Sequence, residues 1–207
     1  MNRIALVTVA AALLAGCASV VDKPERPTLY DLGPIASATA PEAARLAPLV
    51  LADIEAAGAL DGSSVLYRLG YADAHQLRSY AQARWSAPPP QLVRQRLRDQ
   101  LGRERVVLNL GESAALAREG SSQPRVLRIE LEEFSHMFET PAQSHGAVRL
   151  RATLLDNTAA GERVLGQRSI EVRRPAPTPD APGGVRALAA ATEAAAAEIA
   201  QWLQQVR

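Results

Sequence analysis

Alternation of apolar and polar residues along the second half of the chain predicts three β-strands. In the first of them, Leu127, Ile129 and Leu131 fall on one side, and charged residues occupy the other. A period of two with one apolar side is typical of a strand that buries one face and exposes the other. The strands are predicted at 125–134, 148–154 and 170–173, and we expect an antiparallel meander with its second turn at 156–161.

Shorter patterned runs predict further strands in the first half of the chain. Residues 65–71 alternate in the same way, and residues 77–83 can pair back on them as a hairpin. Three more apolar runs complete the set, at 28–32, 49–54 and 106–110.

Two segments repeat their apolar residues at helical spacing. The first follows three prolines, and its residues Val93, Leu97 and Leu101 lie four apart. The second occupies 185–206 and follows a proline- and glycine-rich linker at 174–184, which we expect to be neither helix nor central strand. About 22 residues make a helix roughly 33 Å long. We expect it to pack on the protein's own sheet, the alternative being a second copy of the chain.

The first 17 residues predict an export signal that ends in a lipidation site. An apolar run at 4–14 is too short for a comfortable transmembrane span. Residues 14–17, LAGC, resemble the bacterial lipoprotein signal, in which the thiol receives a diacylglyceryl group and cleavage leaves that cysteine as the acylated N-terminus. The position of the single cysteine of the chain, Cys17, agrees with this interpretation. The alternative is an ordinary secreted protein cleaved after Ala12 or Ala15.

The chain is thereby divided into three parts. Residues 1–16 are predicted to be the lipoprotein signal peptide, 17–27 the lipidated N-terminus and a tether, and 28–207 one folded domain. The residue after the lipidated cysteine is Ala18. By resemblance to the lipoprotein sorting rule, in which Asp at this place favours retention in the inner membrane, Ala18 points to the outer membrane.

Composition narrows the classes of partner. The 207 residues include 23 Lys and Arg against 22 Asp and Glu, so the chain lacks the basic field that non-specific nucleic-acid binding needs. We therefore expect neither DNA nor RNA as a partner. One cysteine can form neither an internal disulfide nor a multi-cysteine metal site.

Catalytic chemistry has little support in the sequence. There is no G-x-S-x-G motif and no phosphate-binding glycine loop. The three histidines, His75, His136 and His145, fall at predicted turn and loop positions, and we expect them at the surface rather than around a metal. Glu132 and Glu133 are neighbours on a predicted strand, so they should point to opposite faces unless a bulge intervenes. We predict no catalytic residue, no metal and no cofactor.

The polar face of the meander and a group of aromatic residues are the remaining candidates. Charged residues on the first two strands can form cross-strand pairs, and their face is either simply solvated or a docking surface for a periplasmic partner. The docking candidates are Arg128, Glu130, Glu132, Arg149 and Arg151. The aromatic candidates, expected in the core or at an interface, are Tyr67, Tyr80, Trp85 and Trp202.

Taken together, these pieces resemble the ABC-type transport auxiliary lipoproteins, the paraquat-inducible protein C-like group. The resemblance covers nearly the whole chain, and its sharpest part is the Arg84-Trp85 pair that leads into the first helix. The other matching pieces are the lipobox, the strand Leu29-Tyr30-Asp31-Leu32, the strand end Tyr67-Arg68, Tyr80, the charged meander and the Ala-rich last helix with Trp202-Leu203.

The resemblance implies an α/β fold, with a mixed β-sheet packed by helices in a single periplasmic domain that has a long C-terminal helix. It also implies a non-catalytic lipoprotein, held at the outer membrane by acyl chains on Cys17, that assists an ABC-type lipid transport system. The implied partner is a periplasmic protein of the mammalian-cell-entry type, with homo-oligomer formation left open. Two alternatives are an envelope-structural lipoprotein that binds peptidoglycan or an assembly machine, and a lipid-anchored hydrolase.

Overall fold

The computed structural model describes residues 26–34, 46–56, 58–112, 123–158 and 161–206. Within these residues the chain forms one mixed nine-stranded sheet and two long helices. The strands are β1 (Thr28–Tyr30), β2 (Leu46–Leu51), β3 (Glu55–Ala56), β4 (Ser64–Leu69), β5 (Ala74–Trp85), β6 (Arg105–Leu108), β7 (Arg125–Phe138), β8 (Ser144–Thr158) and β9 (Gly161–Pro175). The helices are the one-turn α1 (Gly70–Asp73), α2 (Pro89–Gly102) and α3 (Ala181–Gln205), and a 3₁₀ turn spans Gly58–Asp61. The predicted α/β class is confirmed.

Strand β7 organises the sheet. On one side it pairs antiparallel with β8, and β8 pairs antiparallel with β9, so the predicted meander is confirmed. On its other side β7 pairs in parallel with three short strands in succession, β2, β3 and β4. The sheet continues from β4 through β5 to β1, and from β2 to β6. The β4–β5 pair is the predicted hairpin.

Both long helices pack on one face of the sheet and bury the main core. Leu127, Ile129 and Leu131 are each at most 2% exposed on that face, as their alternation predicts. The ring centroids of Trp85 and Phe134 lie 5.4 Å apart in the same core. A smaller apolar cluster joins β2, β7 and β8 on the opposite face; its members are Val50, Ala52, Val126 and Leu155, with Leu108 packed against them.

The linker predicted at 174–184 is much shorter in the structure. Strand β9 continues to Pro175, and α3 already begins at Ala181. Asp180 caps this helix by accepting a hydrogen bond from the backbone N–H of Gly183 at 2.8 Å. A proline is tolerated in the first helical turn because the backbone N–H groups there have no partner within the helix. The prediction that α3 packs on its own sheet is confirmed.

The histidine positions differ from the prediction. Strand β7 extends to Phe138 and β8 starts at Ser144, so all three histidines lie on strands. His136 is fully buried and His145 is 8% exposed, so the expectation of surface histidines in turns and loops is wrong for both. The reason is a bulge after Leu131, which interrupts the alternation and lets it resume with Phe134 facing the core.

Three expectations fall on residues that the structure does not describe. They are the signal peptide, the acylated Cys17 with most of the tether, and the turn between β8 and β9 at 159–160. Among the described helices, none has the length and apolar character needed to cross a membrane.

Candidate functional site

The face of the sheet that is turned away from α2 and α3, called the outer face below, carries most of the charged strand residues. Residues directly opposite each other on neighbouring strands point to the same side. The register therefore orders this face into rows across the strands. One row holds Arg68, Met137 and His145, the next holds Ser135, Ala147 and Arg173, and a third holds Glu133, Arg149 and Glu171.

The five docking candidates all lie on the outer face: Arg128, Glu130, Glu132, Arg149 and Arg151. Glu132 forms ion pairs with Arg149, at 3.3 Å, and with Arg151. Arg128 pairs instead with Glu162 on β9, at 2.7 Å. The side chains of Arg149 and Arg151 remain more than 40% exposed, so their guanidinium groups are accessible to another molecule.

The bulge in β7 places Glu132 and Glu133 on the same face. Neighbouring strand residues would otherwise point in opposite directions. Glu133 forms its own ion pair with Arg68 at 3.4 Å, whereas Glu132 is held by the arginines of β8. Each carboxylate therefore belongs to a charge-paired network, which differs from the free carboxylate pair that acid/base catalysis would use.

A cleft of about 570 Å³ lies at the end of the outer face where β7 and β4 finish. On the outer face of β8, the small side chain of Ala147 lies between the longer side chains of His145 and Arg149. The cleft lies over this position. The exposed Tyr71 of α1 and the apolar Met137 also line the cleft. Ser135, opposite Ala147, is fully buried, and its hydroxyl has no hydrogen-bond partner in the part of the chain that the structure describes.

Charges of both signs surround this cleft. Its lining includes three arginines and three glutamates: Arg68, Arg149, Arg173, Glu133, Glu139 and Glu171. Glu139 lies 3.2 Å from Nδ1 of His145, and Glu171 accepts hydrogen bonds from Arg173. Burial lowers the pKa of His145, an effect that the neighbouring Glu139 partly opposes. A neutral His145 leaves the lining with no formal net charge.

The predicted aromatic residues lie in and around the core on the helix side. Trp85 and Trp202 are 2% and 6% exposed. The Tyr67 and Tyr80 rings are 4.5 Å apart, and the Tyr80 hydroxyl lies 2.8 Å from Nδ1 of His136. None of these four aromatic residues lines the cleft.

The two histidines that flank the β7–β8 turn do not share a site. His136 pairs with Gly146 and faces the helices, whereas His145 pairs with Met137 and faces outward. Burial lowers the pKa of His136 to about 4. Among the described residues, no group of three or more His, Cys, Asp or Glu is placed to hold a metal ion.

Sequence reasoning missed the cleft. Arg68, Met137, His145 and Arg173 come from four strands, and only the register brings them together. One local signal was present, because Tyr71 and Arg68 lie close to the predicted hairpin turn. The charged segment of the meander, in contrast, was identified from its alternation alone.

Comparisons with known proteins place the chain in a recognised group. A family model described as "ABC-type transport auxiliary lipoprotein component" matches residues 30–200. Protein XCC0632 from Xanthomonas campestris, labelled DUF330, has a TM-score of 0.67 and 20% identity over 86% of this chain and 96% of that one. A second crystal structure, of an uncharacterized protein, has a TM-score of 0.58 and 19% identity over 86% of this chain and 99% of that one.

A more distant similarity is to lipoprotein GNA1162 from Neisseria meningitidis. It has a TM-score of 0.35 and 10% identity, over 78% of this chain and 98% of that one. The search of curated proteins gave no match. The two solved structures with TM-scores of 0.67 and 0.58 show the fold, and the family model shows the group.

Proposed function

Since the chain belongs to the ABC-type transport auxiliary lipoproteins, we propose that it is a non-catalytic docking component held on the periplasmic face of the outer membrane. The observation that supports this role is the family match, which runs from the first strand into the last helix. The description of the family as an auxiliary component favours binding over catalysis. The system that it assists is proposed to carry lipid between the two membranes.

The anchor in this proposal is a set of acyl chains on Cys17. Each buried CH₂ contributes about 0.8 kcal/mol, and a second chain makes the attachment stable. The tether at 17–27 spans up to about 35 Å when it is extended. The folded domain can therefore stand away from the bilayer and meet a protein that approaches across the periplasm.

The proposed partner is a periplasmic protein of the mammalian-cell-entry type, and the proposed docking surface is the charged part of the outer face. Arg149 and Arg151 both pair with the carboxylate of Glu132, and both side chains remain more than 40% exposed. Their exposed guanidinium groups can donate hydrogen bonds to an acidic side chain of a partner. Charges on an interface mainly set its specificity and its rate of association.

Charge reversal tests this docking surface. The full-length protein is used to capture a mammalian-cell-entry-type protein of the same organism from detergent extract. We expect the double variant Arg149→Glu, Arg151→Glu to retain at least about tenfold less of that protein, since like charges placed opposite each other cost several kcal/mol.

The matched control reverses two exposed arginines of β9, Arg163→Glu with Arg168→Glu. It changes the net charge by the same amount but at positions outside the five docking candidates. Unchanged capture by the Arg149/Arg151 variant, with an unchanged circular dichroism spectrum, would show that this face is only solvated. Failure of the unaltered protein to capture any partner of this type would overturn the proposed function.

A further inference from the structure

The cleft at the end of the outer face shares Arg149 with the five docking candidates but none of the other four, and it has the features of a small-molecule site. Its volume of about 570 Å³ lies within the range of ligand pockets, which is about 300–1,000 Å³. Met137 and Ala147 supply an apolar floor, and the ring of Tyr71 stands at its side. The charged groups surround this floor.

The charged groups come as close pairs of opposite sign. Arg68 lies 3.4 Å from Glu133 on one side, and Arg173 lies 2.7 Å from Glu171 on the other. Arg68 and Glu133 are only about one fifth exposed, so this pair is partly withdrawn from water. The cleft therefore offers a guanidinium beside a carboxylate twice, with apolar atoms between them.

We propose that this cleft binds a small zwitterion that carries an apolar group. Its anionic group binds a guanidinium of Arg68 or Arg173. Its ammonium group binds the carboxylate of Glu133 or Glu171 that the anion has released, and its apolar group covers Met137 and Ala147.

The charge pairing in the cleft selects against simpler ligands. An anion that takes an arginine leaves a carboxylate without its partner, and a partly buried charge without a partner is costly. An uncharged apolar molecule would exclude water from the ion pairs without forming a new hydrogen bond or ion pair with them. A zwitterion replaces both halves of a pair, so every charge has a partner in the complex.

Two sources supply this chemistry: the headgroup of an ethanolamine phospholipid and a free zwitterion such as an apolar amino acid. Binding of a zwitterion in this cleft requires no protein partner. Its test therefore needs only this chain, and its failure would leave the docking proposal untouched.

Native mass spectrometry of the full-length protein, released from a nonionic detergent, measures the binding directly. Phosphatidylethanolamine and phosphatidylglycerol with identical acyl chains are added in equal amounts. We expect the ethanolamine lipid to occupy the protein about tenfold more, because only its headgroup supplies an ammonium. Millimolar leucine then distinguishes the sources: displacement of the lipid supports a free zwitterion as ligand, and retention supports the lipid.

Two matched variants locate the site. Glu171→Gln removes one carboxylate of the cleft, and we expect it to reduce the preference for the ethanolamine lipid about fivefold or more. Glu162→Gln is the control, because Glu162 lies on the same strand, has the same 46% exposure and also pairs with an arginine at 2.7 Å, but lies outside the cleft. Equal occupancy by the two lipids, or equal effects of the two variants, would overturn the proposal.

Discussion

His136 combines complete burial with a titratable ring. Its Nδ1 lies 2.8 Å from the Tyr80 hydroxyl, and its Nε2 has no hydrogen-bond partner among the described residues. Gly184 of α3 packs so closely on the ring that any side chain there would collide with it. Protonation would place a charge in this buried site, and burial therefore lowers the pKa of His136 to about 4. The charge of His145 lowers this pKa further, and the charge of Asp180 raises it.

The depressed pKa of His136 predicts that acid destabilises the fold. The unfolded histidine takes up a proton near pH 6.5 and the folded one only near pH 4, so the contribution to stability is complete above pH 6.5 and declines as the pH falls toward 4. At pH 4.5 we expect the free energy of unfolding to be about 2 kcal/mol lower than at pH 7 from this residue. Urea denaturation at both pH values measures the difference.

The variant His136→Gln isolates this effect, because glutamine cannot take up the proton. Burial lowers the pKa of His145 as well, so a smaller pH dependence of the same sign remains in the variant. An identical pH dependence in the variant and the unaltered protein would show that His136 does not titrate as stated.

At the scale of elements, the behaviour of β7 shows what alternation can and cannot predict. Up to Leu131 the pattern follows the strand and identifies the core residues correctly. Beyond it, the bulge adds one residue, and two glutamates in succession point outward. A bulge depends on pairing with β8, which local sequence does not encode. Alternation continued without the bulge therefore predicts the wrong side of the strand for His136, which faces the core, and for Met137, which lines the cleft.

The packing of α3 on the sheet depends on the absence of a side chain at Gly146. A Cβ there would lie 2.5 Å from the backbone nitrogen of Leu188, inside the helix. Backbone cannot move aside as a side-chain tip can, so α3 must shift away from β8. We expect Gly146→Ala to lower the free energy of unfolding by about 3 kcal/mol, measured by urea denaturation at neutral pH.

The control for this prediction is Gly102→Ala at the end of α2, where nothing lies within 4 Å of an added Cβ. We expect that variant to be neutral or slightly stabilising, because alanine restricts the unfolded chain more than glycine does. Equal losses at the two positions would contradict the close packing of helix on strand.

At the scale of the whole molecule, the N-terminal strand β1 and the residues after it are held by contacts with both α2 and β5. Arg96 of α2 is 8% exposed and donates hydrogen bonds to the carbonyl oxygens of Leu32, Gly33 and Pro34. Strand β1 also pairs with β5 at the sheet edge. A force applied to β1 from its N-terminal side is therefore resisted by contacts with both α2 and β5.

The proposed anchor precedes that fastened strand and leads to a prediction about where the protein resides. Replacing the thiol, Cys17→Ser, removes the acceptor for the acyl chains, so we expect the protein to move from the detergent phase to the aqueous phase after phase partition.

The variant Ala18→Asp keeps the thiol and changes only the residue proposed to direct sorting. In density-gradient fractionation of membranes, we expect it to shift from the outer to the inner membrane, whereas the matched control Ala18→Ser stays in place. Detergent-phase recovery of Cys17→Ser would contradict the lipid anchor, and an identical distribution of the two Ala18 variants would contradict the sorting step alone.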